Sequence, residues 1–171
     1  MKYLLVIFTL GMFACSANQE SRTKEKSDSA FSQVSEKQQD FAGTYGYGPG
    51  AEKGKSGTIA LYPRNDSTLL FYINLNVGPP SYNGGELFDT LSVKQNQAIY
   101  QGSSDYGEKG CKWQIDFESD SLRITTIDNS YDCGFGGNVI ADGVYQLNSR
   151  QVPQFYIKNQ GDTVYFENEI N

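Results

Sequence analysis

Histidine is absent from all 171 residues, and the chain holds only three cysteines, two methionines and one tryptophan. Without an imidazole there is no Ser-His or Cys-His nucleophile pair, no histidine general base, and none of the commonest zinc ligand. Three cysteines are an odd number, which leaves one thiol over if the chain works in an oxidising compartment. Basic residues are also short: 14 Lys and Arg against 20 Asp and Glu, a net charge of −6. That balance argues against nucleic acid, which requires a basic patch, and permits a basic partner. Past residue 14 no apolar run approaches the ~20 residues that a membrane-spanning helix needs.

The N-terminus supplies what the remainder lacks. Met1-Lys2-Tyr3 gives a single positive charge, Leu4 to Phe13 an apolar stretch, and Ala14 a small residue before Cys15. This is a secretory signal pattern, too short to span a bilayer. Met12-Phe13-Ala14-Cys15 resembles a bacterial lipobox, with Met12 and Phe13 looser than the usual Leu and small residue. The resemblance implies cleavage after residue 14 and lipid on Cys15; the alternative is an ordinary signal peptide cut nearby, leaving Cys15 a free thiol. Counting agrees with lipidation, because assigning Cys15 to lipid leaves Cys111 and Cys133 as one disulfide. Two or more acyl chains give stable anchoring. Ser16 rather than Asp follows the cysteine, so the outer membrane is the expected address.

Residues 15–40 are polar, with Ala17, Ala30, Phe31 and Val34 the only apolar side chains after the cysteine. Such a stretch buries too little to offset its ordering entropy and reads as a flexible tether, spanning roughly 27 Å if disordered. The alternative is a short membrane-proximal helix around Phe31–Val34.

Residues 41–171 read as a single all-β domain. Leu69, Phe71, Ile73, Leu75 and Val77 alternate with Tyr72, Asn74 and Asn76, and Cys111-Lys112-Trp113-Gln114-Ile115-Asp116-Phe117 repeats the period of two. Further strands are expected at Thr44–Tyr47, Gly57–Tyr62, Glu86–Val93, Ala98–Gln101, Ser121–Ile127 and Gly143–Leu147. Gln154–Lys158 and Thr163–Phe166 are expected to form a C-terminal hairpin. Asn65-Asp66 and Glu118-Ser119-Asp120 are turn sequences. About eight or nine short strands with local connections predict an antiparallel meander closed into a small barrel, which removes exposed edges. Gly43-Thr44-Tyr45 and Gly143-Val144-Tyr145 are alike and could be the closing pair. A Cys111–Cys133 bridge would pin Cys133-Gly134-Phe135-Gly136-Gly137 against the sheet end.

Three sequence features suggest other chemistry and fall short. Gly50 to Ser56 imitates a phosphate loop, but Pro49 stands where its first glycine belongs and Gly57–Leu61 reads as strand, not helix. Asp128 to Asp132 spaces oxygens as a calcium loop does, without the glycine and the distant glutamate. Asp116 and Glu118 could be paired acids of a hydrolase but share the outer face of one strand. No catalytic residue, metal or cofactor is expected. Tyr45, Tyr47, Tyr82, Tyr106 and Tyr131, with Phe135, lie in or beside glycine-rich segments, a composition common in binding surfaces. The alternative is that these rings cap the barrel ends, half-buried.

The lipobox with its tether, Cys111–Phe117, and Cys133-Gly134-Phe135-Gly136-Gly137-Asn138-Val139-Ile140-Ala141-Asp142-Gly143-Val144-Tyr145 together resemble small lipoproteins of Bacteroidota-type bacteria, loosely over residues 41–147. A more distant similarity is to periplasmic lysozyme inhibitors, some of them lipoproteins with a disulfide-braced β-barrel. The serine- and tyrosine-bearing loop those inhibitors insert into their target is not found in this chain, so no inhibitory residue is carried over. The expectation is a membrane-anchored, non-catalytic module that binds a basic protein or a small molecule. Inhibition of a basic hydrolase and carboxylate-based hydrolysis are the alternatives.

Overall fold

The computed structural model describes residues 41–103, 109–128 and 133–170. The expected lipidation site Cys15, residues 1–14, the expected tether over 15–40, Tyr106 and Tyr131 lie outside them.

Eight antiparallel strands follow one another around a closed barrel: β1 Gly43–Tyr47, β2 Ser56–Asn65, β3 Thr68–Asn76, β4 Gly84–Lys94, β5 Gln97–Ser103, β6 Lys109–Phe117, β7 Ser121–Asp128 and β8 Gly143–Ser149. Period-two burial puts Ile59, Leu61, Leu69, Phe71, Ile73, Leu91, Trp113, Ile115 and Leu122 inside, all essentially inaccessible. The closing pair is β1 with β8, as the two Gly-X-Tyr segments suggest. Its register is offset, however: a bulge between Thr44 and Tyr45 sets Tyr45 opposite Leu147 and Gly46 opposite Gln146. Gly43 makes this seam possible. It sits at φ +146°, and a Cβ there would lie 2.3 Å from the Ser149 carbonyl oxygen.

The same two segments also close the core. The Tyr45 hydroxyl donates to the Phe41 carbonyl (3.0 Å), and the Tyr145 hydroxyl to the Ala141 carbonyl (2.8 Å). Each ring reaches back four residues to the chain entering its own strand, so both buried hydroxyls are satisfied. This corrects one expectation. Tyr45 is 1% exposed and belongs to the core, because it points inward from a strand rather than out of a loop.

The C-terminal hairpin, β9 Phe155–Ile157 with β10 Thr163–Tyr165, forms a separate two-stranded sheet followed by a 3-10 turn at Phe166–Glu169. Its strands are shorter than the sequence suggests: Phe166 begins the 3-10 turn, with its N–H still bonded to the Gln154 carbonyl (3.1 Å), and its ring becomes an anchor. Phe166 stacks on Tyr62 at 5.2 Å, and Tyr156 stacks on Tyr72 at 4.2 Å. With Leu70 they make a second apolar cluster on the outer face of β2, β3 and β4. The polar links include Asn74 to Asn159 (2.7 Å), the Asn159 amide to Glu86 (2.8 Å) and the Tyr72 hydroxyl to the Ile157 carbonyl (3.0 Å). A hairpin this short is marginal alone; the barrel wall holds it. No helix among the described residues is long and apolar enough to cross a membrane.

Candidate functional site

The two ends of the barrel differ. At one end the connections β2–β3, β4–β5 and β6–β7 are turns of two or three residues, as at Asn65-Asp66 and Glu118-Ser119-Asp120. Phe41 stacked on Phe117 (4.6 Å) helps to seal that end. At the other end lie the longer segments 48–55 between β1 and β2, 77–83 between β3 and β4, and 133–142 leading into β8. Long connections on a rigid scaffold are where binding surfaces concentrate.

These loops interlock. Gly78 (φ +73°) packs so closely on Gly54 that any Cβ would stand 2.7 Å from the Gly54 Cα. The Tyr82 hydroxyl donates to Glu52 (3.3 Å), the Asn83 side-chain amide donates to the Gly137 carbonyl (2.9 Å), and the Gly136 N–H to the Gly84 carbonyl (3.0 Å). The Cys111–Cys133 disulfide is formed, with Cα atoms 5.0 Å apart, and ties the last loop to β6. Phe135 lies against Gly85 as a consequence; an added Cβ at Gly85 would be 2.4 Å from its ring.

Three of the residues singled out in the sequence therefore lie at this end, in different roles. Tyr82 is 49% exposed on the β3–β4 loop. Tyr47 is half-buried, edge-on to Tyr145 at 4.8 Å, and desolvation raises its hydroxyl pKa. Phe135 is half-buried near Trp113, their centroids 6.1 Å apart. Asp116 and Glu118 are not brought together as facing acids. Asp116 accepts from Gln97 and Gln114, and Glu118 from Ser121.

A groove of about 400 Å³ opens on the outer wall beneath the β1–β2 loop. Register explains it. Gly46, Thr58, Asn74 and Glu86 are successive cross-strand partners on β1, β2, β3 and β4, and an added Cβ at Gly46 would come within 2.8 Å of the Asn148 side chain. Glycine thus forms the floor of an otherwise side-chain-bearing row. Ser56, Thr58, Asn74, Asn76 and Asn148 line the groove with hydroxyls and amides, and no charged side chain is among its lining residues. Vicinal amide donors and acceptors suit an uncharged ligand rich in hydroxyl or amide groups. Sequence reading missed this site because none of its residues is conspicuous singly; the missing side chain at Gly46 matters only once β8, β1, β2 and β3 are in register.

A second depression, of about 360 Å³, lies between β3, β4 and the hairpin. Glu86, Asp162, Glu169 and Lys158 are among its lining residues. The Tyr72 hydroxyl donates to Glu86 there (2.6 Å), and its pKa is raised by desolvation first and then by that carboxylate.

No family model, no curated protein and no solved structure matches the chain.

Proposed function

We propose that this protein is a tethered, non-catalytic binding module of the bacterial envelope, anchored by lipid on Cys15, that holds an uncharged, hydrogen-bonding ligand in the groove beneath the β1–β2 loop. The observation that carries the reading is the row Gly46–Thr58–Asn74, an amide- and hydroxyl-lined wall with a glycine floor and no charged lining residue. The lipobox, the odd cysteine count and the histidine-free composition support the anchored, non-catalytic part.

Two measurements test it. Intact-mass analysis of the native protein is expected to find residues 1–14 removed and acyl mass on Cys15; an unprocessed or unacylated chain refutes the anchor. Calorimetric titration with neutral oligosaccharides and N-acetylated amino sugars is expected to give saturable binding that Thr58→Trp abolishes by filling the groove. Binding that survives Thr58→Trp, or no binding across the panel, refutes the groove.

One observation favours a second reading, inhibition of a basic hydrolase such as lysozyme: the carboxylates of Glu86, Asp162 and Glu169 line one depression. Undiminished lysozyme activity at micromolar excess of the protein removes it.

A further inference from the structure

The tryptophan inside the barrel carries an unmet requirement. Trp113 is 0% exposed, and its indole N–H has no hydrogen-bond partner among the described residues. Buried polar groups are nearly always paired, so an orphan of this kind calls for an explanation. Its surroundings are aromatic: Tyr100 at 4.9 Å, Phe135 at 6.1 Å and Phe71 at 6.4 Å between ring centroids. The Tyr100 hydroxyl donates to Asp89 (3.1 Å) and does not accept from the indole N–H.

The wall beside this spot is thin. β4 and β5 pair only at Val93 with Ala98 and Lys94 with Gln97, near their shared turn. Toward the loop end they are no longer laddered, and the Tyr100–Asp89 side-chain bond links them instead. Gly85 of β4 has no side chain to fill the space, and the half-buried Phe135 ring fills it. That ring hangs on a short bridge. The Cys133 disulfide holds one side to β6, and the Gly136 hydrogen bond holds the other to Gly84. Between the two anchors stand only Phe135 itself and Gly134, the latter at φ +74° with nothing within 4 Å of an added Cβ. Rotation about its own side-chain bonds would move the ring with both anchors intact.

We propose that this space is a second ligand site, for a flat apolar molecule presenting a hydrogen-bond acceptor to the Trp113 N–H, and that Phe135 occupies it in the free protein. It is separate from the outer-wall groove and does not depend on that reading. The acceptor is what distinguishes the true ligand from Phe135, which fills the volume but leaves the N–H unpaired. A ligand must displace the ring, so apparent affinity is lowered by the fraction of molecules in which Phe135 is in place.

The chain's single tryptophan makes the test direct, because one indole N–H resonance reports the site. The probes are 1-indanone and indane, of one shape and differing in a carbonyl oxygen. In the full-length protein, 1-indanone is expected to move the indole resonance saturably, and indane to bind at least several-fold more weakly without moving the indole proton downfield. Phe135→Ala is expected to lower the 1-indanone midpoint tenfold or more. Phe135→Leu, which keeps an apolar but smaller side chain, is expected to lower it too, by less, and it decides the point if Phe135→Ala loses the near-ultraviolet circular dichroism of the folded state. An indole resonance unmoved by ketone in the unmodified protein and in the folded variants overturns the site. Equal behaviour of indane and 1-indanone overturns the role given to Trp113.

Discussion

Replacing Phe166 by alanine separates two halves of the molecule that share a wall. Phe166 is fully buried, stacked on Tyr62 and tilted against Phe88 and Tyr156 at 6.1 and 5.2 Å. Truncating a buried phenylalanine costs about 3–5 kcal/mol when the site cannot collapse. Here that loss falls on the docking of the hairpin, because the barrel interior is a distinct cluster on the opposite face of β3. A two-stranded hairpin has little stability of its own, so its opening equilibrium should shift by the whole amount. Exchange of the hairpin amides, including Lys158 N–H bonded to Asp162 and Phe166 N–H bonded to Gln154, should accelerate by roughly 100- to 4,000-fold. Hydrogen exchange read by mass spectrometry on peptides from 151–170 measures it, with peptides from β5 to β7 as the internal control. Trypsin cleavage at Lys158 should rise in parallel. If β5 to β7 lose protection to the same extent, the hairpin and barrel are one cooperative unit and the reasoning is wrong. If neither changes, the stack is not what holds the hairpin.

Three further outcomes are expected. Replacing Cys111 and Cys133 together by alanine should cost about 3 kcal/mol, since the bridge closes a loop across a separation of 22 residues; an unchanged denaturant midpoint would contradict it. Gly43→Ala should destabilise by more than ~1 kcal/mol, because the new methyl meets the Ser149 carbonyl at the closing seam, and thermal melting reads it. At high pH the buried tyrosines should drive unfolding. Burial raises the Tyr145 pKa, with Tyr47 and Asp142 adding to it, and burial followed by Asp89 raises that of Tyr100. Their contribution is therefore full below the unfolded value near pH ~10 and is lost as pH climbs through the higher folded values. Tyrosinate absorbance should rise cooperatively with loss of structure; gradual ionisation of these rings in an intact fold would refute it.

The strands were legible because most of them show one face to the core and one to solvent, and that leaves a period of two in the residues themselves. The two-residue turns were legible for the same local reason. What escaped were properties of pairs of distant strands. The bulge that offsets β1 against β8 depends on how a barrel closes, and no single segment records it. Docking of the hairpin on β3 did leave a trace. Leu69-Leu70-Phe71-Tyr72 is an unbroken apolar run, which a strand buried on both faces carries and a half-buried one does not. The tyrosines illustrate the limit of composition. Tyr45 and Tyr82 both sit near glycines, yet one is a core residue and the other stands on a loop, and the difference lies in which residues the strand ends at.

The chain enters β1 at Phe41 and leaves β8 at Ser149, both at the end with tight turns. A load applied upstream of Phe41, against something gripped by the long loops, runs lengthwise through β1. Its hydrogen bonds to β2 and β8 would then resist side by side instead of parting one after another. That is the stiff way to pull on a sheet, so the end at which the chain enters the barrel is the one best placed to take a load.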